Sequence, residues 1–269
     1  MSAIETSVGR IGLTEAGGGS AIPILFLHGV GSDRSVWHPQ LAYFGTARRV
    51  IAIDYPGYGN SGANEVATRD DFARAALATL DALGVERAHI CGLSLGGVVA
   101  IAIHALAPTR CASLILADSF AVHPDGQAIH DRAVAASHAM SIRDLAEARA
   151  PVLLGATASE AIKAEVIATM GAIDPAAYRC GAAAVWLADQ RRRAAAIDVP
   201  TLVLVGEEDG LTPPALSHAL ATLAGSAADH PPPVTLHMIA HAGHLANLEQ
   251  PAAFNHAIDR FLRATEDNA

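Results

Sequence analysis

Charge is sparse in this chain, aromatic residues are sparser, and cysteine is almost missing. Of 269 positions, 17% are charged and 4% aromatic, and there are three cysteines and two tryptophans. The cysteines, Cys91, Cys111 and Cys180, are odd in number and far apart. That excludes a disulfide framework and the ligand spacing of a zinc site, and no metal is expected. Cys91 and Cys111 fall in apolar runs and read as small buried hydrophobes. No apolar run approaches the roughly 20 residues of a membrane span. Met1 to Arg10 shows no basic-then-apolar signal pattern, so a soluble, cytoplasmic protein is expected. The net charge of −9 is spread without acidic or basic blocks. Neither nucleic acid nor a membrane is therefore expected as a partner. Internal repeats are missing too.

What the chain has is apolar residues, at 51%, and length enough for one large α/β domain with an insertion or for two small domains. Short, nearly continuous apolar runs read as parallel strands buried on both faces: Ile22 to Leu27, Val50 to Ile53, Ala88 to Cys91, Ser113 to Ala117, Thr201 to Val205 and Val234 to Ile239. Helical patterns lie between them, at Val36 to Thr46, Phe72 to Leu83, Leu95 to Leu106, Ala215 to Leu223 and Pro251 to Leu262. This alternation predicts a mostly parallel central sheet flanked by helices. Thr6 to Thr14, followed by Gly17-Gly18-Gly19, reads as a leading antiparallel hairpin. From about 121 to 197 the rhythm breaks. Only helical patterns occur there, at Asp125 to Met140, Ser141 to Leu153, Ser159 to Met170 and Pro175 to Arg193. Residues 1–120 and 198–269 are therefore expected to form a core domain, and 121–197 a helical lid inserted into it.

Within this frame, Gly92-Leu93-Ser94-Leu95-Gly96 follows a strand and opens a helix. That is the context in which G-x-S-x-G forms a nucleophile elbow. Glycine on either side of the serine removes Cβ atoms that a turn this tight would drive together. The serine oxygen then stands at a helix N-terminus, whose amides favour negative charge. Serine becomes a useful nucleophile only when a base takes its proton, and the base is usually a histidine held by a carboxylate.

Asp209, in the glycine turn after the strand Thr201 to Val205, is placed to be that carboxylate. Asp118, which ends the preceding strand, is the alternative, with Glu207 and Glu208 as nearby rivals expected to face solvent. For the base, His244 follows the last strand behind Gly243, which can take a strained turn; His241 is the alternative. The H-x-x-H spacing of that pair lacks the glutamate of a helical zinc motif. An oxyanion hole would draw one N–H from Leu95 and another from Val30, in the loop His28-Gly29-Val30-Gly31. His28 itself reads as a structural residue bonded to backbone. Asp54-Tyr55-Pro56-Gly57-Tyr58-Gly59-Asn60-Ser61 reads as a rigid reversed loop.

Together, and in this order, these motifs resemble the α/β-hydrolase superfamily over nearly the whole chain outside the lid. The resemblance implies Ser94, Asp209 and His244 as a catalytic triad, Val30 and Leu95 as oxyanion amides, and no cofactor. Gly-Leu-Ser94-Leu-Gly-Gly, Leu-Ala-Asp118-Ser-Phe and Ala-Gly-His244-Leu-Ala-Asn-Leu-Glu-Gln-Pro look most like the 3-oxoadipate enol-lactonase branch. That branch acts on an acidic enol-lactone in bacterial aromatic degradation.

The partner expected is thus a small molecule carrying an ester or lactone, carboxylated substrates among the candidates. Arg132, Arg143, Arg149 and Arg179 in the lid are candidate clamps for a carboxylate. Trp186 is a candidate pocket floor, and Phe120 and His123 sit where the chain enters the lid. Two alternatives share the triad: hydrolysis of a carbon–carbon bond in a vinylogous diketone, and a signalling protein of slow turnover. The second rests on similarity of His28 to Trp37 to bacterial stress-response regulators of this fold. A homodimer is left open.

Overall fold

The computed structural model describes residues 2–63 and 67–267. Among them, eight strands form one sheet: β1 (Ser2–Thr6), β2 (Gly9–Ala16), β3 (Ile24–Leu27), β4 (Val50–Ile53), β5 (Ala88–Leu93), β6 (Cys111–Ala117), β7 (Thr201–Gly206) and β8 (Val234–Ile239). Their order is β1-β2-β4-β3-β5-β6-β7-β8. The pairings β1–β2 and β2–β4 are antiparallel and the others parallel. The sheet reverses strand order at β3, so the loop after β3 and the turn after β5 open side by side at one carboxyl edge. Ligands of open α/β sheets bind at such a place.

The helices follow as α1 (His38–Phe44), α2 (Arg69–Ala82), α3 (Leu95–Leu106), α4 (Gly126–Ala139), α5 (Ile142–Leu153), α6 (Glu160–Gly171), α7 (Pro175–Trp186), α8 (Arg191–Ala195), α9 (Pro214–Leu223), α10 (Ala246–Glu249) and α11 (Pro251–Glu266). None among the described residues is long and apolar enough to cross a membrane. The central strands β3 to β7 are buried along their whole length, which is why they read as unbroken apolar runs. α3 is equally buried from Leu95 to His104. Cys91 and Cys111 are free thiols in this core, and burial raises both, Cys111 to about 12.

Three local readings differ from the structure. The leading hairpin spans β1 and β2 and turns at Thr6–Gly9. Gly17 instead carries the chain off the sheet with positive φ, in a space where a Cβ would lie 2.2 Å from the Arg48 carbonyl. The helix expected from Val36 to Thr46 begins with a 3-10 turn over Arg34–Trp37. The pattern from Pro175 to Arg193 is two helices, because the chain leaves α7 to touch the core. Asp189 bridges to Val122, the Gln190 amide donates to the Ala121 carbonyl at 2.7 Å, and buried Gln190 Nε2 donates to the Val98 carbonyl at 2.9 Å. These bonds close the neck of the helical insertion that carries α4 to α7 between β6 and β7. α8 lies between this neck and β7.

On the opposite edge of the sheet, His89 Nδ1 lies 2.8 Å from Ser113 Oγ, and its Nε2 lies 3.2 Å from Glu266 Oε1. Arg48 forks onto the same carboxylate, so the end of α11 is fastened to β5 and β6. Burial lowers His89 to about 4 despite the neighbouring Glu266. A folded-state value below the unfolded one means that the unfolded chain takes up the extra proton, so stability falls with pH across that window. We expect unfolding free energy to drop by up to about 3 kcal/mol from pH 6.5 to pH 4 through this group. In denaturant titrations across that range, His89→Gln should show a shallower decline than the wild type.

Candidate active site

The turn between β5 and α3 is held open by sterics. Ser94 has φ 56° and ψ −113°, a region that side chains with a Cβ avoid. A Cβ on Gly92 would lie 2.1 Å from the Gly96 carbonyl, and one on Gly96 would lie 2.1 Å from the Leu27 carbonyl of β3. The Ser94 amide donates to the Ala117 carbonyl at 2.8 Å, and the Ser94 carbonyl accepts from Ser119 Oγ at 2.8 Å. The hydroxyl makes no capping bond to its own helix. It faces a cavity with about 490 Å³ of space free of protein atoms, partly open to solvent.

His244 lines the same cavity. Its Nδ1 lies 2.8 Å from Asp209 Oδ2. A carboxylate can only accept, so Nδ1 carries a proton, and in the neutral ring Nε2 is the nitrogen left to accept one. Asp209 also accepts the Leu211 and Thr212 amides on Oδ1, at 2.8 and 2.9 Å. Thr212 Oγ1 lies 2.6 Å from Oδ2. Burial raises the Asp209 carboxyl, but His244 and the Thr212 bonds outweigh it and hold the group below its ordinary value. Ser94, Asp209 and His244 are 5%, 3% and 3% exposed, so their interactions act in a water-poor setting.

The rival residues lie elsewhere. His241 is exposed. It also takes the left-handed turn, at φ 57°, that the sequence assigns to Gly243. What Gly243 provides is close approach, since a Cβ there would lie 2.5 Å from the Gly155 amide. Glu208 is exposed but accepts the Ala156 amide at 2.7 Å. Asp118 is fully buried next to Asp209 and His244, but its Oδ1 accepts the Gly206 amide at 2.8 Å and it makes no hydrogen bond to the imidazole among the described residues.

Val30 lines the cavity beside Ser94, and Leu95 is the first residue of α3, where amides have no intrahelical acceptor. The loop carrying Val30 is braced from below. His28 Nδ1 donates to the Gly29 carbonyl at 2.8 Å, and the Tyr55 amide donates to His28 Nε2 at 3.3 Å. Buried Asp54 pairs with Arg34 and accepts the Arg34 and Asn60 amides, each at 2.9 Å.

Of the residues expected to touch substrate, Trp186 lines the Ser94 cavity. Phe120 is buried beneath it, stacked at 5.7 Å. His123 and Arg132 line a second, more open cavity next to the first. Arg149 lines both cavities, whereas Arg143 projects into solvent and pairs with Glu147. Arg179 does not border the Ser94 cavity. Sequence reasoning passed over Met170, Tyr178 and Leu211, which also border it. Met170 and Tyr178 lie in helical patterns that do not say which face meets a cavity, and Leu211 lies in the turn between β7 and α9. Thr212 was also missed, though its place three residues after Asp209 suits an aspartate-centred turn.

The sequence profile of the alpha/beta hydrolase family matches residues 24–257. A 3-oxoadipate enol-lactonase of Acinetobacter baylyi is 30% identical over 247 residues, covering 89% of this chain and 88% of its own. Two solved structures superpose over nearly their full lengths. An esterase from Thermogutta terrifontis has a TM-score of 0.87 and 27% identity, covering 98% of both chains. The enol-lactonase of Burkholderia xenovorans has a TM-score of 0.88 and 26% identity, covering 97% of this chain and 100% of its own.

Strain at Ser94 makes a test that reverses the usual rule. Glycine is ordinarily about 0.5–1 kcal/mol less stabilising than alanine, but here it relieves a conformation costing about 1–3 kcal/mol. Ser94→Gly should therefore unfold at a higher temperature than Ser94→Ala. The opposite ranking by calorimetry would show that the turn is unstrained.

Proposed function

This chain belongs to the alpha/beta hydrolase family, and on that footing we propose that it hydrolyses an ester or lactone of a small carboxylated molecule through Ser94, His244 and Asp209. One observation carries the reading. An uncapped serine hydroxyl and a histidine whose Nδ1 proton is held by a buried carboxylate open into the same cavity.

His244 Nε2 takes the Ser94 proton as Oγ attacks the carbonyl carbon. Asp209 keeps the ring oriented and balances the imidazolium. The Val30 and Leu95 amides receive the negative charge that builds on the carbonyl oxygen, usually the largest single contribution to such catalysis. When the carbonyl re-forms, the bond to the leaving oxygen breaks and that oxygen takes the proton from His244. In a lactone the leaving group stays attached as the far end of the acyl chain. Water, deprotonated by the same histidine, then releases the acid and restores Ser94. Residues 121–197 act as a lid whose Trp186, Tyr178 and Met170 exclude water from this sequence.

Arg149 supports the choice of a carboxylated substrate. It is half-buried on α5, its guanidinium forms no hydrogen bond or ion pair among the described residues, and it borders the Ser94 cavity. A guanidinium held there without an anion is a fitting partner for a substrate carboxylate. Relatives named as enol-lactonases and a structural neighbour named as an esterase support a lactone and an open-chain ester alike.

The experiment is steady-state turnover of a panel: neutral p-nitrophenyl esters, a carboxylated ester of equal length, 3-oxoadipate enol-lactone and a vinylogous diketone. Ser94→Ala should lower kcat/KM by about 10⁴-fold or more on every substrate that turns over. Arg149→Gln should lower kcat/KM by about 10–100-fold on the carboxylated substrates only. Turnover confined to the diketone would move the reaction to carbon–carbon bond hydrolysis. Slow turnover throughout would point to the signalling alternative.

A further inference from the structure

Asp118 is a buried acid that the reaction above leaves unused. It has a left-handed backbone, φ 48°, which persists in a non-glycine residue only where the surroundings impose it. The surroundings are the end of β7. The Asp118 amide donates to the Leu204 carbonyl at 2.9 Å, and Oδ1 accepts the Gly206 amide at 2.8 Å. Oδ2 is buried with no hydrogen-bond partner. One polar atom each of Asp118, Asp209 and His244 lies within 4.8 Å of the others. The ionisable groups that face Asp118 are thus Asp209, His244 and, farther off on α10, Glu249.

Two carboxyl groups this close in a buried site do not both ionise at neutral pH. Asp209 holds the stronger claim to the charge, because it accepts from His244 and from the Leu211 and Thr212 amides. Asp118 has one amide donor, and burial followed by the nearness of Asp209 pushes its carboxyl well above the usual range.

We propose that Asp118 is a neutral positioning residue that presents an Oδ2 proton to Asp209 and so holds that carboxylate in line with His244. As a neutral acid it donates a hydrogen bond without adding charge. Were it ionised, a second negative charge beside the imidazole would tighten the His244 proton and slow its transfer to the leaving group. The protonation assignment stands on geometry; its effect on rate rests on the functional reading above.

Two measurements separate these levels. Infrared difference spectra of wild type against Asp118→Asn at pH 7 should show a protonated-carboxyl band in the wild type, and its absence overturns the proposal without any need for activity. NMR titration of the His244 ring, identified by its loss in His244→Gln, should show the same midpoint in Asp118→Asn as in wild type to within about 0.3 pH unit, because one neutral group replaces another. A fall of about one unit or more would mean that Asn had removed a charge, and would overturn it. Asp118→Ala should lose about tenfold in kcat/KM, and Asp118→Asn should restore it, since the carboxamide can both accept from Gly206 and donate to Asp209. Full activity in Asp118→Ala would leave no positioning role. If the wild type shows no Ser94-dependent turnover, the functional reading fails, while the spectra still decide the state of Asp118.

Discussion

The structure hangs on one strained residue. Ser94 sits in a backbone conformation that its own Cβ disfavours, and two strands supply what keeps it there. β6 accepts its amide through the Ala117 carbonyl, and Ser119, just beyond β6, donates to its carbonyl. β3 comes so close that only a glycine fits at position 96. The strain of about 1–3 kcal/mol is small against the burial of the central strands and α3, which is why the fold can carry it. The same tightness leaves the hydroxyl uncapped by its own helix and bordering the cavity, with Leu95 as the first residue of α3.

A second set of bonds fixes the histidine side. The His244 amide donates to the Leu153 carbonyl at 2.9 Å, at the end of α5. Glu249 accepts the Gly155 amide at 2.7 Å and the Gly243 amide at 3.0 Å, while Glu208 holds Ala156. The inserted helices are therefore tied to the loop that carries His244, and Leu153 becomes part of the wall around Ser94. Position of the ring and shape of the cavity are set together. A carboxylate with several hydrogen-bond donors, an imidazole and a second acid then lie in a place from which water is nearly excluded, where each electrostatic choice weighs more than it would at the surface.

How far such a site can be read from residues alone depends on whether the determinant is local. The elbow was legible because its glycines are required within five positions of one another. Asp209 and His244 were legible because each follows a strand at the same sheet edge and their order along the chain is restricted. Asp118 was legible only as a rival acid: its distance from Asp209 depends on the packing of β6 against β7. The break after α7 was hidden for a similar reason. The helical pattern runs through Arg193, and only the bonds of Asp189 and Gln190 to the far side of the neck interrupt it.

The inserted helices mark the limit of sequence reading most clearly. Four arginines there looked equivalent as carboxylate clamps, because helix periodicity does not say which face meets the core. Tertiary packing separated them. Arg149 borders the Ser94 cavity, Arg132 only the second cavity, and Arg143 faces solvent against Glu147. The amino-acid sequence by itself determined the parallel α/β architecture, the elbow at Ser94 and the order of the residues around it, because these follow from short-range sterics and from the alternation of buried strands and helices. Only the tertiary structure decided which acid meets His244, which arginine meets the cavity and what stands behind Asp209. Those are distances between elements far apart in the chain, and no local pattern encodes them.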